Sequence, residues 1–135
     1  MDHQIIVPEV IIDKLFSSAM TARKKAYSPY SKFMVGASVM TGNQKIYNGC
    51  NIENSSFGAT ICAERVAIFK AISEEGYTKI KYLMLVADTP IPCGICRQVL
   101  SNFCEDDMPI IATNGKGDIE IFQFRDILPM PFKNF

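Results

Sequence analysis

Nowhere in the chain does an apolar run approach the roughly 20 residues that a membrane-spanning helix requires, so no membrane partner is expected. Net charge is missing as well, because 14 Lys and Arg are balanced by 14 Asp and Glu. Proteins that hold a nucleic acid polymer carry a basic face, and zero net charge removes the cheapest sign of one. The densest basic run, Arg23-Lys24-Lys25, falls late in an expected helix, where cations complement the helix C-terminus. The first residues, Met1-Asp2-His3-Gln4, lack the basic stretch and apolar segment of a secretory leader, which leaves the cytoplasm as the expected location. There is no internal repeat, low-complexity tract or linker, so one domain over residues 1–135 is the economical expectation.

What is present suits a compact fold. Apolar residues make up 48% and charged residues 21%, enough to bury a real core. Val10, Ile11, Leu15, Ala19 and Ala22 recur at helical spacing after Pro8 and predict a helix to about Ala26. Ser28-Pro29-Tyr30-Ser31 breaks it. Residues 33–41 and 45–51 read as a hairpin turning at Gly42-Asn43. Thr60 is the expected N-cap of a helix over residues 61–75 that Gly76 ends. The apolar run in residues 80–88 reads as a strand buried on both faces. Pro92 stands where a helix over residues 93–103 would start. Residues 109–113 and 119–124 are two more strands, followed by a helical turn near residues 125–128. Strands alternating with helices after a hairpin imply an α/β layered fold around a mixed sheet.

Five cysteines are present: Cys50, Cys62, Cys93, Cys96 and Cys104. An odd number without a secretory leader argues against a disulfide framework. Cys93 and Cys96 lie one helical turn apart, so both sulfurs can reach one ion. Alone, that pair could equally be a redox couple or half of a structural metal site. Cys62, at the expected start of another helix, adds a third sulfur. Helix N-termini favour the thiolate form that binds zinc. Three protein ligands with an open position suit a catalytic zinc, and four suit a structural one. A structural site would need Cys50, Cys104 or His3. Cys50 and Cys104 read as buried, inert thiols, and His3 lies where a terminus frays, so the pattern favours the catalytic site. Glu64, two places after Cys62, can then face a reactant beside the metal.

The run Cys62-Ala63-Glu64-Arg65, followed by Pro92-Cys93-Gly94-Ile95-Cys96-Arg97-Gln98, resembles the signature of the cytidine deaminases in their small homotetrameric branch. The resemblance covers nearly the whole chain. It includes Tyr30-Ser31-Lys32-Phe33, Val35-Gly36-Ala37, Gly49-Cys50-Asn51-Ile52-Glu53-Asn54, Leu128-Pro129 and Phe132. It implies a three-layer α/β/α fold with a mixed five-stranded sheet. It also implies hydrolysis of cytidine and deoxycytidine to the uridine products and ammonia, in pyrimidine salvage. By that resemblance Cys62, Cys93 and Cys96 hold Zn2+ with water or hydroxide as fourth ligand, which attacks C4 while Glu64 moves protons. Asn51 and Glu53 bind the sugar 3′-hydroxyl, Phe33 packs on the pyrimidine, and backbone near Ala63 contacts its carbonyl. Ser55, Phe57 and Phe132 complete the pocket of a neighbouring subunit.

Arg65 and Arg97 flank the sulfurs, and Arg65 is expected to offset the excess negative charge of three thiolates on one zinc ion. Three features depart from the family pattern, one of them Met34, which stands where proline or another residue is common. Phe57 stands where a tyrosine is frequent, and the loop over residues 89–92 is short. Within the deaminases, a nucleotide, free cytosine, a nucleoside antibiotic or a polynucleotide would be the competing substrates. Asn51 and Glu53 speak for a sugar, and a carboxylate there would repel phosphate. Outside the enzymes, the competing reading is a small zinc-stabilised binding module.

Overall fold

A computed structural model describes residues 5–133 of the chain. The order is α1 (Glu9–Arg23), β1 (Gly36–Thr41), β2 (Ile46–Cys50), a single 3-10 turn (Phe57–Ala59), α2 (Ala63–Glu75), β3 (Ile80–Val86), α3 (Gly94–Leu100), β4 (Pro109–Thr113), β5 (Ile119–Gln123) and α4 (Phe124–Ile127). The five strands form one sheet in the order β2-β1-β3-β4-β5. Only β3 and β4 run parallel, and the remaining neighbours are antiparallel, so the sheet is mixed as expected.

Alternation along the strands divides the interior into two apolar layers. Ala37, Val39, Leu83, Leu85 and Ile110 face α2, α3 and α4, and pack with Ala67, Ile68, Leu100 and Phe124. Their neighbours Met40, Met84, Val86 and Ile111 face the other way, against Leu15 and Ala19 of α1. Helices thus cover both faces, which is why β3 reads as an apolar run from Tyr82 to Val86. The result is the three-layer α/β/α arrangement.

Two glycines set how closely the helices approach. A Cβ at Gly36 would lie 2.1 Å from the Ala19 carbonyl oxygen, and one at Gly49 would lie 2.7 Å from both the Ala63 oxygen and the Ala67 nitrogen. Gly49 therefore lets the first turn of α2 rest on β2. Because the obstacles are backbone atoms, Gly49→Ala is expected to cost about 2–3 kcal/mol through overpacking. A thermal melt should then fall by roughly 10 °C, and an unchanged midpoint would show that α2 does not depend on this contact.

The structure shortens several expected elements. Helix α1 ends at Arg23 rather than near Ala26. Beyond it a turn runs to Ala26, whose N–H donates to the Arg23 carbonyl at 3.1 Å; Tyr27 then bridges to Ile52, and the Tyr27 N–H donates to the Asn51 carbonyl at 3.0 Å. Thr60 is not the cap of α2. That position belongs to Cys62, while the Thr60 hydroxyl accepts from the Asn54 N–H at 3.1 Å. Likewise Cys93, not Pro92, immediately precedes α3, which stops at Leu100. The expected stop at Gly76 is present, with φ +76°. No helix among the described residues is long and apolar enough to cross a membrane.

Candidate active site

The carboxyl end of β3 leads directly into the segment that carries Cys93. Ligand sites in open α/β sheets gather outside the carboxyl ends of parallel strands. Here Cys62 and Cys93 occupy the cap positions of α2 and α3, and neither helix has a side-chain cap bond. The uncapped N–H groups and the helix dipoles therefore favour negative charge at the sulfurs. Cys96 follows in the first turn of α3 and is fully buried.

The three Sγ atoms lie within 4.8 Å of one another. Cys93 Sγ is 3.6 Å from Cys62 Sγ and 3.5 Å from Cys96 Sγ. A disulfide is excluded at that separation, since the bond is about 2.05 Å. The spacing fits zinc instead, because Zn–S bonds of about 2.3 Å in a tetrahedron place sulfurs roughly 3.8 Å apart. Among the described residues no histidine, carboxylate or further cysteine joins the group. Cys50 is half-buried elsewhere on β2, and Cys104 is buried, which pushes its thiol up to about 12. His3 lies outside the described residues.

The cluster perturbs its neighbours. Cys62 is lowered to about 5, first by its hydrogen bond with Cys96, then by those from Arg65 and Cys93. One thiolate is thus already favoured, while Cys96 is raised by sharing its proton with Cys62. Arg65 Nη2 donates to Cys62 Sγ at 3.5 Å. Burial works against the guanidinium charge, but contact with Cys62 and Cys96 outweighs it and raises its pKa. Arg97 plays no such part. Its Nε donates to the Pro92 carbonyl at 2.8 Å and its Nη1 to the Ile127 carbonyl at 2.9 Å, so it braces the loop before Cys93.

Glu64 is only 3% exposed. Burial raises its carboxyl to about 7, and the negative charge of Cys62 adds to the effect. Near neutral pH such a group can both take and give a proton.

A cavity of about 390 Å³ connects these groups. Cys62, Cys93, Ala63 and Glu64 line one part, and Phe33, Asn51, Glu53 and Ser31 line another. A larger hollow of about 660 Å³ opens at the other end of the strands, beside Lys79 and Pro109, but holds no thiol. Chemistry, not size, singles out the smaller one.

Asn51 and Glu53 are both 9% exposed. Asn51 Nδ2 donates to the Phe33 carbonyl at 2.7 Å, and its Oδ1 accepts from the Val35 N–H at 2.9 Å. Glu53 Oε1 accepts from the N–H groups of Tyr30 at 2.9 Å and Ser31 at 3.2 Å, and Oε2 accepts from the Ser31 hydroxyl. The Ser31 hydroxyl leads in lowering the Glu53 pKa, against the effect of burial, so the group stays ionised.

Ser55, Phe57 and Phe132 do not line the cavity of their own chain. Phe57 is 76% exposed and its ring meets Tyr30 edge-on at 6.0 Å. Phe132 is 68% exposed, and its backbone exchanges two hydrogen bonds with the Gln98 side chain, at 2.8 and 3.3 Å. Sequence reasoning gave Ser31 and Gln98 no role. Both lie inside the quoted motifs, but their partners are 22 and 34 positions away.

Three thiols that would leave a bound metal one open position, with a buried carboxyl beside them to move protons, suit metal-assisted hydrolysis. Residues 10–112 match the family described as the cytidine and deoxycytidylate deaminase zinc-binding region. A cytidine deaminase of Sporosarcina psychrophila is 50% identical over 124 residues, covering 90% of each chain. One from Halalkalibacterium halodurans is 42% identical over 98% of this chain and 95% of its own. The crystal structure of cytidine deaminase from Burkholderia pseudomallei superposes with a TM-score of 0.83 at 39% identity, covering 89% of this chain and 98% of that one. The chain belongs to the cytidine and deoxycytidylate deaminase zinc-binding family, and Cys62, Cys93 and Cys96 are positioned to hold its metal ion.

Proposed function

We propose that this chain, acting as one catalytic domain, is a zinc-dependent cytidine deaminase that hydrolyses cytidine and deoxycytidine to the uridine products and ammonia. The observation that carries the reading is a single cavity lined by two thiols of a three-thiol group, a buried carboxyl beside them and an ionised, hydrogen-bonded carboxylate.

Cytosine C4 is a weak electrophile and ammonia a poor leaving group, so the site must supply both a nucleophile and a proton donor. Zinc, when bound, supplies a Lewis acid that moves the pKa of water from about 15.7 toward about 7. Glu64 does the proton work. Its carboxylate takes one proton from the attacking water and passes it to ring N3, which makes C4 more electrophilic. It then carries the second proton to the 4-amino nitrogen. The C4–N bond breaks, ammonia leaves, and the water oxygen remains as the product carbonyl. The division of labour is the one general to zinc deaminases.

Arg65 offsets the thiolate charge through its contact with Cys62. Phe33 packs on the pyrimidine, and the N–H groups near Ala63, at the start of α2, meet its carbonyl. Glu53 accepts from the sugar 3′-hydroxyl, with Asn51 beside it. An acceptor ionised at neutral pH there disfavours phosphate and selects nucleosides over nucleotides.

The working form is a cytoplasmic homotetramer in which Ser55, Phe57 and Phe132 finish the pocket of a neighbour. The exposure of Phe57 and Phe132 away from their own cavity supports this assembly. Three unpaired thiols at a metal site suit a reducing compartment. The deciding test is an absorbance assay with cytidine and deoxycytidylate beside zinc quantification. Stoichiometric zinc with turnover of cytidine alone is expected. Zinc without turnover would support a purely structural metal, and equal turnover of deoxycytidylate would refute the nucleoside assignment.

A further inference from the structure

One turn supplies every observed partner of the Glu53 carboxylate. Backbone N–H groups of Tyr30 and Ser31 bind Oε1, and the Ser31 hydroxyl donates to Oε2. A carboxylate offers about four acceptor directions, so these three donors leave roughly one for a ligand. The same Ser31 oxygen accepts from the Phe33 N–H at 3.0 Å. The turn is closed by Lys32 N–H on the Ser28 carbonyl at 3.0 Å, with Lys32 in the left-handed region at φ +59°. That reversal brings the Phe33 N–H back onto the hydroxyl two residues behind it. On its other side Phe33 is held through its carbonyl by Asn51.

We propose that Ser31 is a positioning residue for sugar recognition, its hydroxyl joining the Glu53 carboxylate and the Phe33 backbone into one unit. The proposal rests on the reading of Glu53 as the acceptor for the sugar 3′-hydroxyl. Its role is to aim the one remaining acceptor direction into the cavity, at a fixed distance from the ring of Phe33. Sugar and base are then gauged against each other through a single hydroxyl that binds both the Glu53 carboxylate and the Phe33 backbone.

The test uses two nucleosides that differ only in the group concerned, cytidine and 3′-deoxycytidine, on the zinc-loaded enzyme. Ser31 is exposed, so S31A should fold, and zinc content and melting temperature check that it does. Losing a hydrogen bond to a charged group predicts a drop of about tenfold in kcat/KM for cytidine. Most of it should appear in KM, and the loss for 3′-deoxycytidine should be clearly smaller, so that the ratio of the two kcat/KM values narrows. Equal losses on both nucleosides, or no loss on either, would overturn the positioning role. E53Q serves as the control, since it must narrow the same ratio. If E53Q leaves the ratio unchanged, the sugar assignment of Glu53 is wrong and the proposal falls with it. If E53Q narrows the ratio and S31A does not, Glu53 reads the sugar without Ser31 and only the proposal is lost.

Discussion

Replacing Glu64 with glutamine is expected to lower kcat by about three to four orders of magnitude while zinc stays bound. The side chain is isosteric and lies outside the sulfur group, so the metal site should survive. What disappears is the capacity to take and give protons, which in general acid–base catalysis contributes about 10²–10⁴-fold. The upper part of that range applies because one carboxyl serves two protonations, at N3 and at the leaving amine. Its environment suits that double use, because burial holds the group near 7, where neither protonation state is strongly preferred at neutral pH. Single-turnover kinetics beside metal analysis would read the effect. A variant retaining a tenth of the native rate would mean that another group or solvent carries the protons.

Removing Cys96 should abolish both metal and turnover. Cys62 and Cys93 sit at the caps, but Cys96 is the fully buried member and meets the Cys93 sulfur from inside α3. With two thiols left, the site lacks the three protein ligands of a catalytic zinc. Cys96→Ala should therefore lose its zinc on dialysis against a mild chelator. It should also melt earlier than the native protein, because an ion that binds only the folded state stabilises it by mass action. Cys104→Ala is the contrasting variant. Its thiol is buried and held protonated, away from the sulfur group. Cys104→Ala should keep stoichiometric zinc and activity, at some cost in stability from the void left behind. Zinc retained by Cys96→Ala at native affinity would remove that thiol from the ligand set.

The chemistry of the site was legible because its residues announce themselves. A Cys-x-x-Cys pair, a third cysteine and an adjacent glutamate restrict the possibilities sharply, and their meeting point follows once both helices begin at the same end of the sheet. The buried strand β3 was legible for a similar reason, since apolar side chains on both faces leave no other pattern. Helix limits were less so. Thr60 has the chemistry of a cap, yet Ile61 pairs with Ile52 in an extended bridge, and that pairing delays the helix to Ala63. Arg97 has the chemistry of a sulfur partner, but two backbone carbonyls claim it. The break at Ser28-Pro29-Tyr30-Ser31 was legible, but its bonds to Glu53 were not. Its bonds link residues 22 and 23 positions apart, and nothing in the local pattern specifies which hydroxyl the carboxylate will meet.

The strap between Gln98 and Phe132 has a practical side. The helix that begins with two of the sulfurs grips the closing segment of the chain by its last turn. Anything heavy fused after that segment would tug on the metal-bearing helix and crowd the face where Phe132 projects. At the opposite terminus, Val7 packs beside α1 on the far side of the sheet. Purification handles and surface anchors therefore belong at the amino end, where the load falls on a layer that takes no part in the chemistry.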